Sequence, residues 1–214
     1  MLHGKTVAVV VPAYNEESQI GIVIRSMPDF VDRIVIVNDF SKDKTAEVVI
    51  DFIKSDNTQK VSIKNISDIH IEPTLYNRAD IVLQEEAVNE RKLFNPSTVY
   101  NEDPEHDRII LIEHTVNGGV GAAIASGYKW CKDHNIDCTA VMAGDGQMDP
   151  SELIDICSPV IESEVDYVKG NRLIHRSANL VIPKIRYFGN SILSILTKLA
   201  SGYWHISDTQ TGYT

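Results

Sequence analysis

The chain has 214 residues and a composition that already excludes several classes of protein. This length is enough to bury one substantial core, so we expect a single domain. A formal net charge of −10 argues against a nucleic-acid-binding surface. Three cysteines in no zinc-site spacing indicate reduced thiols in a cytosolic compartment. No apolar run reaches the roughly 18 residues of a membrane span, so we expect a soluble chain.

Predicted strands and helices alternate along most of the chain. Apolar runs predict strands at residues 5–11, 33–37, 109–112, 139–142 and 165–168. Helices are predicted at residues 16–27, roughly 44–54, from the glycines after 117 to about 132, and 151–162. This alternation predicts an α/β fold with a mainly parallel twisted sheet flanked by helices. Ligands of such sheets bind beyond the carboxyl ends of the strands, where polar residues and glycines collect here.

Two segments depart from this alternation. Residues 55–108 are far longer than a usual connection and predict an inserted subdomain or lid. Within them, short strands are predicted at 61–63 and 69–71, and a helix at 78–93. Residues 183–200 predict an amphipathic helix with one apolar stripe and several cations. Such a helix packs on a core or lies at a membrane interface.

The segment 141–150, VMAGDGQMDP, is the strongest candidate for chemistry. It places Asp145, Gln147 and Asp149 directly after a buried strand. Mg²⁺ and Mn²⁺ take oxygen ligands, and Mg²⁺ often uses only one or two carboxylates when phosphates supply the rest. A carboxylate beside glycines at this place is therefore well positioned for Mg²⁺ or Mn²⁺ carrying a diphosphate. The alternative is an acidic turn that caps a helix.

Six motifs follow one another along the chain: VVVPAYNEE (9–17), VNDFSKDKT (37–45), NGGVGAA (117–123), AGDGQMDP (143–150), KGNR (169–172) and DTQTGY (208–213). In this order they resemble the motifs of family 2 glycosyltransferases, which have the GT-A fold. The closest resemblance is to the branch that transfers sugars from nucleotides to polyprenyl or dolichyl phosphate.

Three positions depart from the family pattern. Asn38 and Ala143 replace acids, and Phe40 stands where glycine is common, so we expect a different turn there. With Ala143 in place of an acid, the resemblance implies Asp145 and Gln147 as the metal ligands.

The resemblance implies a single GT-A domain over residues 1–214 and a metal-dependent inverting transfer from a UDP- or GDP-sugar to a polyprenyl phosphate. The implied nucleotide-binding residues are Pro12, Ala13, Tyr14, Glu16, Asn38, Asp39, Asn117 and Gly121. The implied catalytic residues are Asp145, Arg172 and Asp208, and Arg172 and Arg186 would bind the acceptor phosphate through paired hydrogen bonds. A phosphate monoester is already anionic at neutral pH and needs no protein base. The enzyme is expected at the cytoplasmic face of a membrane, in cell envelope glycan biosynthesis.

Two alternatives remain open from the sequence. The same fold can transfer sugar to a saccharide or protein hydroxyl, with Asp208 or Asp149 as the base. The second alternative is a nucleotide-sugar-binding module without turnover, because Ala143 and Asn38 remove two acids.

The glycine loop at 117–121 also has two interpretations. It either supplies N–H groups to the nucleotide-sugar donor or is only a tight turn. The sequence lacks the dinucleotide and P-loop fingerprints, and the order of its seven histidines predicts no Ser–His–Asp arrangement.

Overall fold

The computed structural model describes residues 1–56, 58, 60–63, 65, 72, 74, 76–163, 165–170, 184–202, 204 and 213–214. Within these residues one sheet has the strand order β3-β4-β2-β1-β5. The strands are β1 (Val7–Ala13), β2 (Arg33–Asn38), β3 (Ser97–Val99), β4 (Ile109–His114) and β5 (Cys138–Val141). β4, β2, β1 and β5 run parallel, and β3 is antiparallel to β4. The predicted α/β fold with a mainly parallel sheet is confirmed.

Helices follow the strands as the sequence predicted, with ends that shift by a few residues. They are α1 (Ile20–Ser26), α2 (Thr45–Ser55), α3 (Arg78–Arg91), α4 (Val120–Asp133), α5 (Leu153–Ile161) and α6 (Lys184–Ser201). A short 3₁₀ turn, Pro150–Glu152, precedes α5. Its first residue is proline and the Asp149 side chain accepts from the N–H of Ser151, which is why the helix begins here.

The two central strands are buried on both faces, as their nearly continuous apolar sequences predict. Val7, Val9 and Val11 of β1 face one hydrophobic cluster, and Ala8 and Val10 face the other. Helix α4 approaches β1 so closely that a side chain at position 127, where the chain has glycine, would overlap Val10. The sheet is therefore a rigid base whose carboxyl edge positions the loops.

The strand predicted at 165–168 is not formed, and this prediction is wrong. Val165 and Tyr167 are 45% and 63% exposed, so the run buries too little apolar surface to join the sheet. The chain beside β5 is instead the segment 213–214, because the N–H of Val141 donates to the carbonyl oxygen of Thr214 at 2.6 Å. The prediction at 61–63 is also wrong, and the one at 69–71 lies outside the described residues.

Part of the segment 55–108 joins the sheet, because β3 pairs with β4 along its edge. The fully buried Arg33, at the start of β2, donates to the carbonyl oxygens of Val61 at 2.7 Å and Glu105 at 2.6 Å. Burial lowers the pKa of Arg33, and the Asp32 carboxylate partly offsets this. The segment is thus fastened at the amino-terminal end of β2, opposite the edge where ligands are expected. Its role as an inserted subdomain or lid stays a prediction.

Candidate active site

A cleft of about 230 Å³ lies where β1, β2 and β5 end. It is lined by Pro12, Ala13, Tyr14, Glu16, Asp39, Val120, Ala123, Ala143, Gly144 and Asp145. The first four of the sequence motifs therefore meet in one place, as their positions after parallel strands predicted. Asp39 and Asp145 lie in the same cleft although they are far apart in sequence. What these side chains bind stays a prediction at this point.

The loop after β1 and the loop after β2 hold each other in place. The N–H of Asn15 donates to Ser41 Oγ at 3.0 Å, and Asn15 Oδ1 accepts from the N–H of Lys42 at 2.8 Å. One residue further on, the N–H of Glu16 donates to Thr45 Oγ1 at 2.8 Å. Asn15 adopts a left-handed conformation with φ 58°, which asparagine tolerates well. These hydrogen bonds fix the two loops relative to each other beside the cleft.

Phe40, in the second of these loops, also has a left-handed backbone, with φ 60°. This is the region that glycine adopts without strain, so the backbone has the conformation a glycine would permit. The different turn expected at this position is therefore not apparent in φ. For an L-residue with a large side chain the conformation costs about 1–2 kcal/mol. The aromatic ring is half exposed and compensates for little of this strain by burial.

Asp39 is only 3% exposed, and three donors hold its carboxylate. Oδ1 accepts from the N–H of Gly118 at 2.8 Å and lies 2.7 Å from His114 Nδ1, while Oδ2 accepts from the N–H of Gly119 at 2.7 Å. Asn117 Nδ2 donates to the Asp39 carbonyl oxygen at 3.1 Å. The sequence analysis considered the N–H groups of residues 117–121 as possible contacts of the nucleotide sugar. Those of Gly118 and Gly119 instead bind Asp39, as expected for a tight turn. The N–H groups of α4, including that of Gly121, do not bind Asp39.

His114 is a site residue that the sequence analysis missed. It is the last residue of β4, and its Nε2 lies 2.9 Å from Ser126 Oγ on α4. Asp39, His114 and Ser126 thus form a hydrogen-bonded series, although the sequence predicted no Ser–His–Asp arrangement. The one available signal was a histidine at the end of a strand that finishes at the same edge as Asp39. Ser126 opens onto a separate cavity of about 540 Å³ between α4 and the segment 55–108.

Asp145 lines the same cleft as Asp39, in a turn that two glycines allow. A Cβ at Gly144 would lie 3.1 Å from the Pro12 carbonyl oxygen, and Gly146 has φ 71°. Asp145 Oδ1 accepts from the N–H of Gln147 at 3.0 Å. Partial burial raises the pKa of Glu16, and repulsion from the nearby carboxylates of Asp145 and Asp43 raises it further.

This concentration of negative charge suits a divalent cation, and Asp145 supplies the hard oxygen ligands that Mg²⁺ and Mn²⁺ prefer. In the part of the chain that the structure describes, no three His, Cys, Asp or Glu side chains are grouped to hold a metal. A cation here would need further oxygens from a bound diphosphate. The Gln147 side chain is exposed at the turn, and its role as a metal ligand stays a prediction.

The end of the last motif packs against the turn that contains Asp149. Tyr213 is buried, and its hydroxyl donates to the Asp149 carbonyl oxygen at 2.9 Å. Burial, with Glu152 and other nearby anions, raises the pKa of the Tyr213 hydroxyl. The Asp149 carboxylate accepts from the N–H of Ser151 at 2.9 Å, and this backbone donor lowers the Asp149 pKa. A carboxylate of lowered pKa that caps a helix is a weak general base.

Of the other predicted site residues, Asn38 does not line the cleft, and the acceptor-side residues are described in part or not at all. Asn38 is buried, and its Oδ1 accepts from the N–H of Ser41 at 3.1 Å. Arg172 and Asp208 lie outside the described residues, and of Arg186 the structure describes only its place in α6. The apolar stripe of α6 is exposed at Phe188, Ile192, Ile195, Leu196 and Leu199. Among the described helices, none combines the length and apolar character needed to cross a membrane.

Fold and cleft define an α/β protein with a cleft at the carboxyl edge of a mainly parallel sheet. Comparison with known proteins shows what this chain is similar to. Residues 8–67 match the model of Glycosyl transferase family 2. The chain is 27% identical over 209 residues to the UDP-N-acetylglucosamine--dolichyl-phosphate N-acetylglucosaminyltransferase of Methanococcus voltae, covering 97% of this chain and 68% of that protein. Over residues 8–67 the chain is therefore similar to glycosyl transferase family 2.

Other similar proteins are more distant. Uncharacterized protein MJ1222 of Methanocaldococcus jannaschii is 23% identical over 205 residues, which is 95% of this chain and 61% of that protein. Glucosyl-3-phosphoglycerate synthase from Mycobacterium tuberculosis, in complex with UDP, superimposes with a TM-score of 0.49 at 17% identity. Its complex with Mn²⁺, UDP and glucosyl-3-phosphoglycerate gives 0.47 at 15% identity. The chain spans 56% of the length of that synthase in both structures.

Proposed function

We propose that this protein transfers a sugar from a UDP-sugar to a polyprenyl or dolichyl phosphate, with Mg²⁺ or Mn²⁺ at Asp145. The observation that carries the proposal is the meeting of Asp39, Asp145 and residues 12–14 in one acidic cleft. The name of the Methanococcus voltae relative supports the choice of donor and acceptor, because it specifies UDP-N-acetylglucosamine and dolichyl phosphate.

The residues of the cleft divide the work of holding the donor. Tyr14 is 44% exposed and offers its ring for stacking on the base. Asp39 accepts an N–H of the base, from a position fixed by its own hydrogen bonds. Asp145 would hold the cation, which when bound would supply Lewis-acid stabilisation of the leaving diphosphate. Glu16, whose pKa is raised beside Asp145, adds to the negative potential that attracts the cation and is relieved when the cation binds.

The acceptor side rests on the sequence resemblance and on helix α6. Arg172 and Arg186 bind the lipid phosphate in this proposal, since a guanidinium pairs with two phosphate oxygens. The exposed apolar stripe of α6 rests at the cytoplasmic face of a membrane and brings the head group to the cleft. A phosphate nucleophile needs no base, which agrees with the lowered pKa of Asp149. The catalytic role given to Asp208 stays a prediction.

A nucleotide-sugar-binding module without turnover is the second candidate. Ala143 removes one acid from the metal motif, and no group of three metal-ligating side chains is present among the described residues. The two candidates differ in product formation. They share the donor cleft, so nucleotide binding alone does not separate them.

The test is a donor panel of UDP-N-acetylglucosamine, UDP-glucose, UDP-galactose and GDP-mannose, each with a short polyprenyl phosphate and Mn²⁺. We expect glycolipid product from one UDP-sugar, and none in excess EDTA. Asp145→Asn keeps the side-chain volume and should lower kcat at least about 100-fold with an unchanged Tm. Asp155→Asn, an exposed aspartate of α5, is the matched control. Binding of UDP-sugars without product from any acceptor would establish the binding module instead.

A further inference from the structure

The buried imidazole of His114 has a definite hydrogen-bonding state. An ionised Asp39 only accepts, so the proton facing it belongs to His114 Nδ1, at 2.7 Å from Oδ1. The Asn95 amide nitrogen also lies 3.2 Å from Nδ1, but it donates to the Val116 carbonyl oxygen at 3.0 Å and cannot accept a proton. A neutral ring then accepts at Nε2 from the hydroxyl of Ser126. His114 is therefore a fixed donor to Asp39.

The hydrogen bond from His114 Nδ1 limits the number of further N–H groups that the Asp39 carboxylate can accept. A carboxylate has about four acceptor positions, two on each oxygen. On Asp39, the Oδ1 positions are filled by His114 and Gly118, and one of the Oδ2 positions is filled by Gly119. Counting the residues that the structure describes, one acceptor position remains on Oδ2 of this carboxylate, and Asp39 lines the cleft. Asp39 can therefore accept one further N–H group and no second one.

We propose that His114 is a specificity-determining residue that makes Asp39 select uracil over guanine as the base of the donor. This inference rests on the proposed function. Uracil presents a single N–H on its pairing edge, which one free acceptor position satisfies. Guanine presents two adjacent N–H donors, which need both oxygens of a carboxylate for a bidentate pair. With Oδ1 saturated by His114 and Gly118, one guanine donor is left without an acceptor in a desolvated site, which penalises GDP.

Two amide substitutions separate this role from a structural one. The amide nitrogen of asparagine takes the place of Nδ1, so His114→Asn retains the donor to Asp39. The amide of glutamine reaches the place of Nε2, so His114→Gln keeps a partner for Ser126 but frees a position on Oδ1. Both variants are polar and similar in size. They differ in the one hydrogen bond on which the proposal depends.

The measurement is the Kd of UDP and of GDP by titration calorimetry with Mn²⁺, with Tm recorded for every variant. We expect wild type to prefer UDP, and His114→Gln to lower the ratio Kd(GDP)/Kd(UDP) by about tenfold, the value of one hydrogen bond to a charged group. His114→Asn should keep the wild-type ratio. Ser126→Ala, which releases the far side of the ring, should lower the ratio less than His114→Gln. The control is His134→Gln, a buried histidine whose Nδ1 lies 2.7 Å from the Trp130 carbonyl oxygen.

The outcomes are distinguishable. An unchanged ratio in both His114→Gln and Ser126→Ala, while wild type binds UDP, overturns the role of His114 and leaves the proposed function intact. Equal losses of UDP and GDP affinity in both His114 variants also overturn it, because a structural residue acts in this way. If wild type binds neither nucleotide with Mn²⁺, the proposed function itself fails.

Discussion

Replacing the Asp39 carboxylate by an amide should destabilise the protein strongly, because the carboxylate closes the turn before α4 as well as facing the cleft. In Asp39→Asn only one side-chain oxygen remains. It can accept hydrogen bonds from Gly118 and His114, or from Gly119, but not from all three. The new NH₂ group then faces a backbone N–H that is also a donor. Losing one hydrogen bond to a charged group and leaving one buried donor unsatisfied together cost about 2–4 kcal/mol.

Urea unfolding of Asp39→Asn measures this loss in free energy, and thermal unfolding should show a Tm lower by about 5–15 °C. Asp137→Asn is the matched control. Asp137 also accepts from a backbone N–H and a hydroxyl, both of Thr6 at 2.8 Å, but its side chain is 37% exposed. Water can replace those bonds, so the control should lose less than about 1 kcal/mol. Equal losses in the two variants would refute the reasoning that Asp39 is a buried structural acceptor.

Three further predictions follow from strain, burial and charge. Phe40→Gly should stabilise the protein by about 0.5–1 kcal/mol in urea unfolding, since relief of the left-handed strain exceeds the added chain entropy; an unchanged or lower stability would contradict it. Tyr213→Phe should cost about 1 kcal/mol in the same assay by removing the bond to the Asp149 carbonyl oxygen, with Tyr76→Phe, at 96% exposed, as the neutral control. The raised pKa of Glu16 means that the folded state binds its proton more tightly than the unfolded state. The stability that Glu16 contributes is therefore fully present below its usual pKa of 4.5 and is lost as the pH rises through the pKa of Glu16 in the folded protein. Glu16→Gln should remove that part of the pH slope in urea unfolding, and an identical slope in both proteins would count against the effect.

The strands were predictable where burial is strongest. Strands β1, β2 and β4 are runs of apolar residues that a parallel sheet buries on both faces, so their sequences are sufficient. Strand β3 has three exposed residues and pairs only at the edge, so its own sequence gives no signal. Residues 165–168 mislead in the opposite direction. Their composition is typical of a strand, but residues 213–214 occupy the place beside β5.

The sequence predicted which motifs meet in the cleft, but it did not predict the hydrogen bonds between their residues. Motifs that follow parallel strands must meet at one edge, which predicted Asp39 and Asp145 together. The partners of Asp39 depend on tertiary geometry. His114 is 75 residues from Asp39 in sequence and 12 from Ser126, and neither spacing is a recognisable motif. Asn38 shows the same limit, because no sequence signal predicts that its Oδ1 accepts from the N–H of Ser41 inside its own loop. Its predicted contact with the nucleotide stays a prediction.

The tight turn from Asn117 to Gly119 has a consequence for how related chains diverge. Because its N–H groups close on Asp39, a mutation at position 39 is selected against through folding before any change in ligand choice is expressed. Altered base preference should therefore arise at positions around the carboxylate, such as 95, 114 and 126, while the aspartate persists. In a mutational scan scored by growth, position 39 would report protein abundance, and its neighbours would report specificity.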